Sequence, residues 1–245
     1  RLRAGFPDAS RMKALNLYAG PAAREHIRQH GLLPAHIHTI PAAAGGPKGL
    51  ILGALDRYLF GQWLPQSAQP VDLVGASIGA WRMATACLDD PVAAFERLEH
   101  DYIRQHYEFR PGNKLPSAHH VSEMFGQNLR SFYGGREAQV LQHARYRLHV
   151  VTSRGRHILR REHGLRTPLG YLGAFLTNTV RRKAMGAWLE RVVFSTRHAA
   201  LPFDSHDYRT RQLPLDADNF YPALQASCSI PFALQAVHDI PGAPP

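Results

Sequence analysis

The chain has 245 residues, with 29 Lys and Arg against 19 Asp and Glu and a net charge of +10 when histidine is neutral. That length suits one α/β domain with a sizeable core and is short for two, so residues 1–245 read as a single unit, with the Arg1 start and the Pro244-Pro245 end reading as cuts in a longer protein. Two cysteines, Cys87 and Cys228, argue against a disulfide scaffold and for a reducing compartment, no apolar run reaches the ~18 residues of a membrane span, and no signal-peptide core or metal-ligand spacing is visible.

In chain order, residues 36–43 read as a buried strand and 50–64 as a helix, with Ile51, Leu55 and Leu59 near helical spacing. Between them lies Ala44-Gly45-Gly46-Pro47-Lys48-Gly49. Consecutive glycines let backbone N–H groups converge on one point, as a tetrahedral oxyanion requires, and Gly45 and Gly46 are the expected donors. Lys48 falls in the first helical turn, in a supporting role. The spacing departs from G-x-x-x-x-G-K-[ST], and Gly49 stands where Ser or Thr would hold magnesium, so a nucleotide loop is not expected.

Residues 71–74 read as a second strand and 78–88 as a helix with Ile78, Trp81, Thr85 and Leu88 on one stripe. At their junction, Gly75-Ala76-Ser77-Ile78-Gly79 fits G-x-S-x-G. A tight strand-to-helix turn there strains the serine and presents its Oγ, while Gly75 and Gly79 relieve clashes and the helix N-terminus favours negative charge. The competing reading is a plain serine N-cap.

Next, Asp90-Pro91 supplies an N-cap and N1 proline for a helix through Phe95, Leu98 and Tyr102. Residues 108–144 read as loops and short helices over the sheet, with His119-His120 in a solvated loop. Residues 146–152 and 191–196 read as strands, separated by a helix through Phe175, Val180 and Trp188. Alternating strands and helices predict an α/β fold with a mostly parallel central sheet covered on both faces, and chemistry at the carboxyl ends of its strands.

The charge is concentrated. Residues 145–183 hold ten Arg and Lys against Glu162 alone, a local +9 that leaves +1 of the total +10 for the rest. This segment reads as a peripheral contact with anionic membrane lipid or as a solvated surface. No nucleic-acid partner is expected, since no helix-turn-helix, zinc-finger or RNP signature accompanies it. Residues 170–176 beside it are apolar and glycine-punctuated, suiting a lid or interfacial loop, or a buried helix start. The expected location is cytoplasmic, or peripheral at a membrane.

Gly-Gly-x-Lys-Gly in the first strand-to-helix loop, followed about thirty residues later by G-x-S-x-G, resembles the patatin-like phospholipases. Ala226-Ser227-Cys228-Ser229-Ile230-Pro231 is similar to the A-S-x-x-I/L-P stretch that precedes the catalytic aspartate of that family. The resemblance runs over roughly residues 36 to 240. It implies a three-layer α/β/α sandwich and hydrolysis of lipid or small acyl esters by a Ser–Asp dyad, without histidine, calcium or another cofactor.

Two departures accompany it. The D-G-G-G-x-R/K-G of the family begins here with Ala43-Ala44, so Ala44 occupies one glycine position while keeping its N–H. The dyad aspartate belongs to an Asp-Gly pair that this chain lacks, which places it after Pro245. Asp239, in His238-Asp239-Ile240-Pro241, reads instead as part of a strand-end turn. Two alternatives stay open. One is an α/β-hydrolase triad of Ser77, Asp204 or Asp216, and His238. The other is a catalytically silent, lipid-binding protein of the patatin fold. Ala76 departs from the His that precedes the serine of acyl-carrier-protein transacylases.

Overall fold

The computed structural model describes residues 16–105, 116–161, 166–196, 199–207, 209–231 and 233–244. At its centre is a five-stranded sheet in the order β1 (Thr39–Ala42), β2 (Val71–Ala76), β3 (Tyr146–Gly155), β4 (Leu189–Ser195) and β5 (Thr210–Pro214). Among the described residues the α-helices are α1 (Pro21–His30), α2 (Gly53–Tyr58), α3 (Ile78–Thr85), α4 (Pro91–Ile103), α5 (Ala118–Tyr133), α6 (Glu137–Leu141), α7 (Arg166–Val180) and α8 (Phe220–Cys228). The protein is α/β with a mostly parallel sheet: β1–β2, β2–β3 and β4–β5 are parallel, and β3–β4 is antiparallel. Among the described residues no helix is long and apolar enough to cross a membrane.

The antiparallel pair follows from the route of the chain. Gly155, the last residue of β3, faces Leu189, the first of β4. The intervening α7 and the 3-10 segment Arg182–Ala187 therefore leave and re-enter at one end of the sheet. A parallel pair would require a crossover to the other end. The helix expected through Trp188 accordingly stops at Val180, and Phe175 and Val180 lie exposed, outside the core. At the opposite margin β1 is an edge strand, where Pro41 costs no central ladder bond. It is shorter than residues 36–43 because Pro34 opens a 3-10 turn, Pro34–His36, just before it.

The sheet's closest helix is α3, in which every residue is buried. Such a helix needs a cover on the side away from the sheet. Phe125 and Phe132 of α5 supply it, packing edge-on to Trp81 with ring centroids 5.4 and 6.0 Å away. The Tyr133 hydroxyl donates to the Trp81 carbonyl at 3.0 Å. This sixteen-residue α5 occupies sequence that reads as loops and short helices. Ser117 caps it by accepting from the His120 N–H at 3.2 Å, which also puts His119-His120 on a helix.

Residues 50–64 are not one regular helix. The chain passes from a 3-10 segment, Gly46–Leu52, through α2 and a π turn, Leu59–Trp63, to a second 3-10 turn, Leu64–Gln66. Ile51 is 86% exposed, and the buried face is Gly53, Asp56, Phe60 and Leu64. A carboxylate takes a core position there because Arg82 of α3 donates two hydrogen bonds to Asp56, at 2.7 and 2.6 Å. The α4 prediction holds at its start: Asp90 Oδ1 accepts from the Ala93 N–H at 3.0 Å.

Candidate active site

β2 runs into α3 through a single residue, Ser77, whose backbone sits at φ 56°, ψ −128°. For a residue with a Cβ this conformation costs about 1–3 kcal/mol and persists only where its surroundings impose it. Three of them are visible. The Ser77 N–H donates to Ser227 Oγ at 2.9 Å, and the Ser227 hydroxyl donates onward to the Val151 carbonyl at 2.7 Å, tying the turn to α8 and β3. A Cβ on Gly75 would stand 2.4 Å from the Ala80 Cα, and one on Gly79 2.1 Å from the Ala42 carbonyl oxygen. Only glycine permits both approaches, of α3 to β2 and of α3 to β1. Ser77 makes no side-chain cap bond to its helix, so the hydroxyl is not spent as an N-cap.

Ala42 pairs with Gly75, so the glycine loop leaves β1 beside the serine turn. Gly49 packs against that turn as well, since a Cβ there would meet Ile78 Cγ2 at 2.9 Å. Gly46 adopts φ 54°, the left-handed region that favours glycine, whereas Gly45 lies outside that region at φ 177°, ψ 1°. The Lys48 N–H returns to the Gly45 carbonyl at 3.3 Å, and among the described residues the N–H groups of Gly45 and Gly46 donate to no backbone acceptor. Lys48 itself is exposed. The structure thus packs Gly49, Gly75 and Gly79 against the Ser77 turn, with Gly45 and Gly46 in the loop that leaves β1 beside it.

No protein-family model, curated protein or solved structure matches the chain. Among the described residues no carboxylate or imidazole is hydrogen-bonded to Ser77. Its side chain instead reaches the thiol of Cys228; burial pushes that thiol up to about 12, against the pull of the Ser77 hydrogen bond. Cys228 is consequently a neutral neighbour at physiological pH and no base.

The residues of the triad alternative share no hydrogen bond among the described residues. Exposed Asp204 accepts from the His206 N–H at 2.9 Å, and Asp216 accepts from the Asp218 and Asn219 N–H groups at 3.0 and 3.1 Å, before the start of α8. No hydrogen bond joins either to His238 or Ser77. Asp239 is exposed at φ 54° and follows no strand, contrary to the strand-end reading. His238 and Asp239 both line a cavity of about 910 Å³ with Thr152, Tyr171, Ser229 and Pro231. Ser77 is not on its wall, but Ala226 and Ser229, on either side of the Ser227–Cys228 pair that touches Ser77, are.

A Ser–His–Asp chain does exist, at the other end of the sheet. His149 contacts Asp72 Oδ1 through Nε2 at 3.1 Å and Ser195 Oγ through Nδ1 at 2.9 Å, and Gln212 donates to the same Ser195 oxygen at 2.9 Å. His149 is fully buried and Ser195 1% exposed, while Asp72 also accepts two hydrogen bonds from Arg147, each at 2.6 Å. No ester can reach this serine. The cluster crosses the sheet as structure. Among the described residues no group of three or more His, Cys, Asp or Glu is placed to hold a metal ion.

Only the A-S-x-x-I-P resemblance singles out Ser227, and nothing in the sequence ties Ser227 or Cys228 to Ser77. A hydrogen bond across 150 residues has no signature in local spacing.

Proposed function

We propose that the protein is a serine acyl hydrolase acting on lipid or small carboxylic esters, built as a three-layer α/β/α sandwich of the patatin-like kind. The observation that carries the reading is the strained Ser77 turn at φ 56° between a buried strand and a fully buried helix. It is supported by the adjacent loop with two uncommitted glycine N–H groups.

In this reading Ser77 Oγ attacks the acyl carbonyl and yields its proton to the dyad carboxylate that the patatin resemblance implies. The Gly45 and Gly46 N–H groups stabilise the oxyanion, a contribution of about 3–4 kcal/mol to the barrier for a single well-placed donor. Collapse of the tetrahedral intermediate expels the alcohol, which takes up the proton, and water then releases the acid from the acyl-serine. The Ser77 N–H is no oxyanion donor, because Ser227 already accepts it. It fixes the nucleophile's backbone instead.

The test is fluorophosphonate labelling of the full-length protein with mass spectrometry of the adduct. One label per chain is expected, on Ser77, absent from Ser77→Ala and retained in His238→Ala. Failure of the wild type to label would overturn the hydrolase reading. A fall of about a thousandfold in His238→Ala turnover would instead favour a histidine-assisted triad.

A further inference from the structure

α7 has two faces of different composition. At about 100° per residue, Gly170, Gly173, Ala174 and Thr177 fall on one side, and Leu169, Leu172, Phe175, Leu176 and Val180 on the other. The first side is small because neighbours press on it: a Cβ on Gly170 would meet Leu159 Cδ2 at 2.5 Å, and one on Gly173 the Trp188 ring at 2.7 Å. The second side is uncovered. Leu169 is 63% exposed, Leu172 52%, Phe175 63%, Leu176 55% and Val180 88%. No residue from 167 to 180 carries a charge. A contiguous apolar stripe of this width marks a surface that meets something other than water.

The charges stand at the two ends. Arg160 and Arg161 precede the helix, and Arg181 and Lys183 follow it; all four are exposed and make no ion pair among the described residues. An apolar helix bracketed by unpaired cations is complementary to a layered partner, hydrocarbon below and anionic groups at the level of the helix ends. Between the two faces, Thr167, Pro168 and Tyr171 form part of the wall of the 910 Å³ cavity. The outer stripe therefore runs alongside that cavity, at the sheet end that carries Ser77.

We infer that α7 is an interfacial helix that seats the protein on an anionic lipid bilayer. Its five exposed apolar side chains enter the acyl boundary, and Arg160, Arg161, Arg181 and Lys183 lie among the headgroups. The inference rests on the acyl-hydrolase reading for the identity of the substrate, which this seating would bring to the cavity from the membrane. The contact itself does not require catalysis.

The experiment uses the full chain carrying Ser77→Ala, so that the bilayer is not consumed, and measures cosedimentation with vesicles of phosphatidylcholine alone or mixed with phosphatidylglycerol. Binding is expected to the anionic vesicles, with little to the zwitterionic ones. Arg181→Gln and Lys183→Gln should each weaken it about fivefold. Leu172→Ser with Phe175→Ser should weaken it at least tenfold with the melting temperature little changed, since both side chains are more than half exposed. Equal binding by parent and serine variant overturns the inference, as does absence of binding to either vesicle. So does a parent dimer, seen by light scattering, that the serine variant converts to monomer, because a second copy then covers the stripe. Fluorophosphonate labelling of the vesicle-free wild type separates the two readings. Binding without labelling removes the hydrolase and keeps the surface; labelling without binding does the reverse.

Discussion

Gly79 and Gly45 both belong to glycine motifs, but only Gly79 is sterically locked. A Cβ there would lie 2.1 Å from the Ala42 carbonyl oxygen and 2.8 Å from that of Ala43, so Gly79→Ala must force α3 away from β1. This variant should lose about 1–3 kcal/mol in urea unfolding. Its labelling rate at Ser77 should fall at least tenfold, since the serine turn moves relative to the glycine loop. At Gly45 the nearest atom to an added Cβ is Lys48 Cβ at 3.9 Å, and its φ of 177° lies outside the left-handed region. Gly45→Ala keeps its N–H, as Ala44 does, and should label within about threefold of the parent at the same melting temperature. A large loss in Gly45→Ala alone would show that the loop needs glycine freedom there, and the steric argument would fail.

At the scale of elements, α2 and α3 are joined by the Asp56–Arg82 pair, whose side chains are 4% and 8% exposed. Burial pushes the Asp56 carboxyl up while Arg82 pulls it down, so the pair holds two desolvated groups in mutual satisfaction. Asp56→Ala strands the guanidinium and should cost about 3–5 kcal/mol by urea unfolding. Asp56→Leu combined with Arg82→Met should recover most of that loss, because neither charge is then left buried alone. This pair also shows why the second helix is hard to read. Asp56 looks like a solvent position in a hydropathy pattern, and its partner lies 26 residues away, so the apparent stripe through Ile51 falls on the wrong face. The β2–Ser77–α3 turn is legible for the opposite reason: strand, glycine, serine, glycine and helix are contiguous, and the strain is local. α5 carries readable signals, a Ser117 cap and Phe125, Leu129 and Phe132 at helical spacing, but they lie within a stretch that reads as loops and short helices. The antiparallel β3–β4 pair is not encoded in either strand. It depends on where α7 returns the chain.

The buried Asp72–His149–Ser195–Gln212 chain spans β2, β3, β4 and β5, so its protonation state concerns the whole sheet. One neutral arrangement satisfies every member: Gln212 donates to Ser195, the Ser195 hydroxyl donates to His149 Nδ1, and His149 Nε2–H donates to Asp72. Protonating His149 would put a second donor against the Ser195 hydroxyl and charge a fully buried group. Burial accordingly holds His149 below its ordinary value of 6.5, although the Asp72 carboxylate pulls it up and Arg147 adds a smaller depression. The sign follows from proton counting. Below pH 6.5 the unfolded chain binds a proton at this histidine that the folded protein resists, so the unfolded state gains and stability falls with pH. The melting temperature should therefore decline from pH 7.5 to pH 5. His149→Gln removes the titrating group; it should melt lower than the parent at pH 7.5 but show a shallower decline over the same range. The other histidines, mostly exposed among the described residues, are common to both proteins, which is why the difference in slope is the quantity to measure. Equal slopes would mean that His149 does not resist protonation in the fold, and the neutral hydrogen-bond chain across the sheet would have to be abandoned.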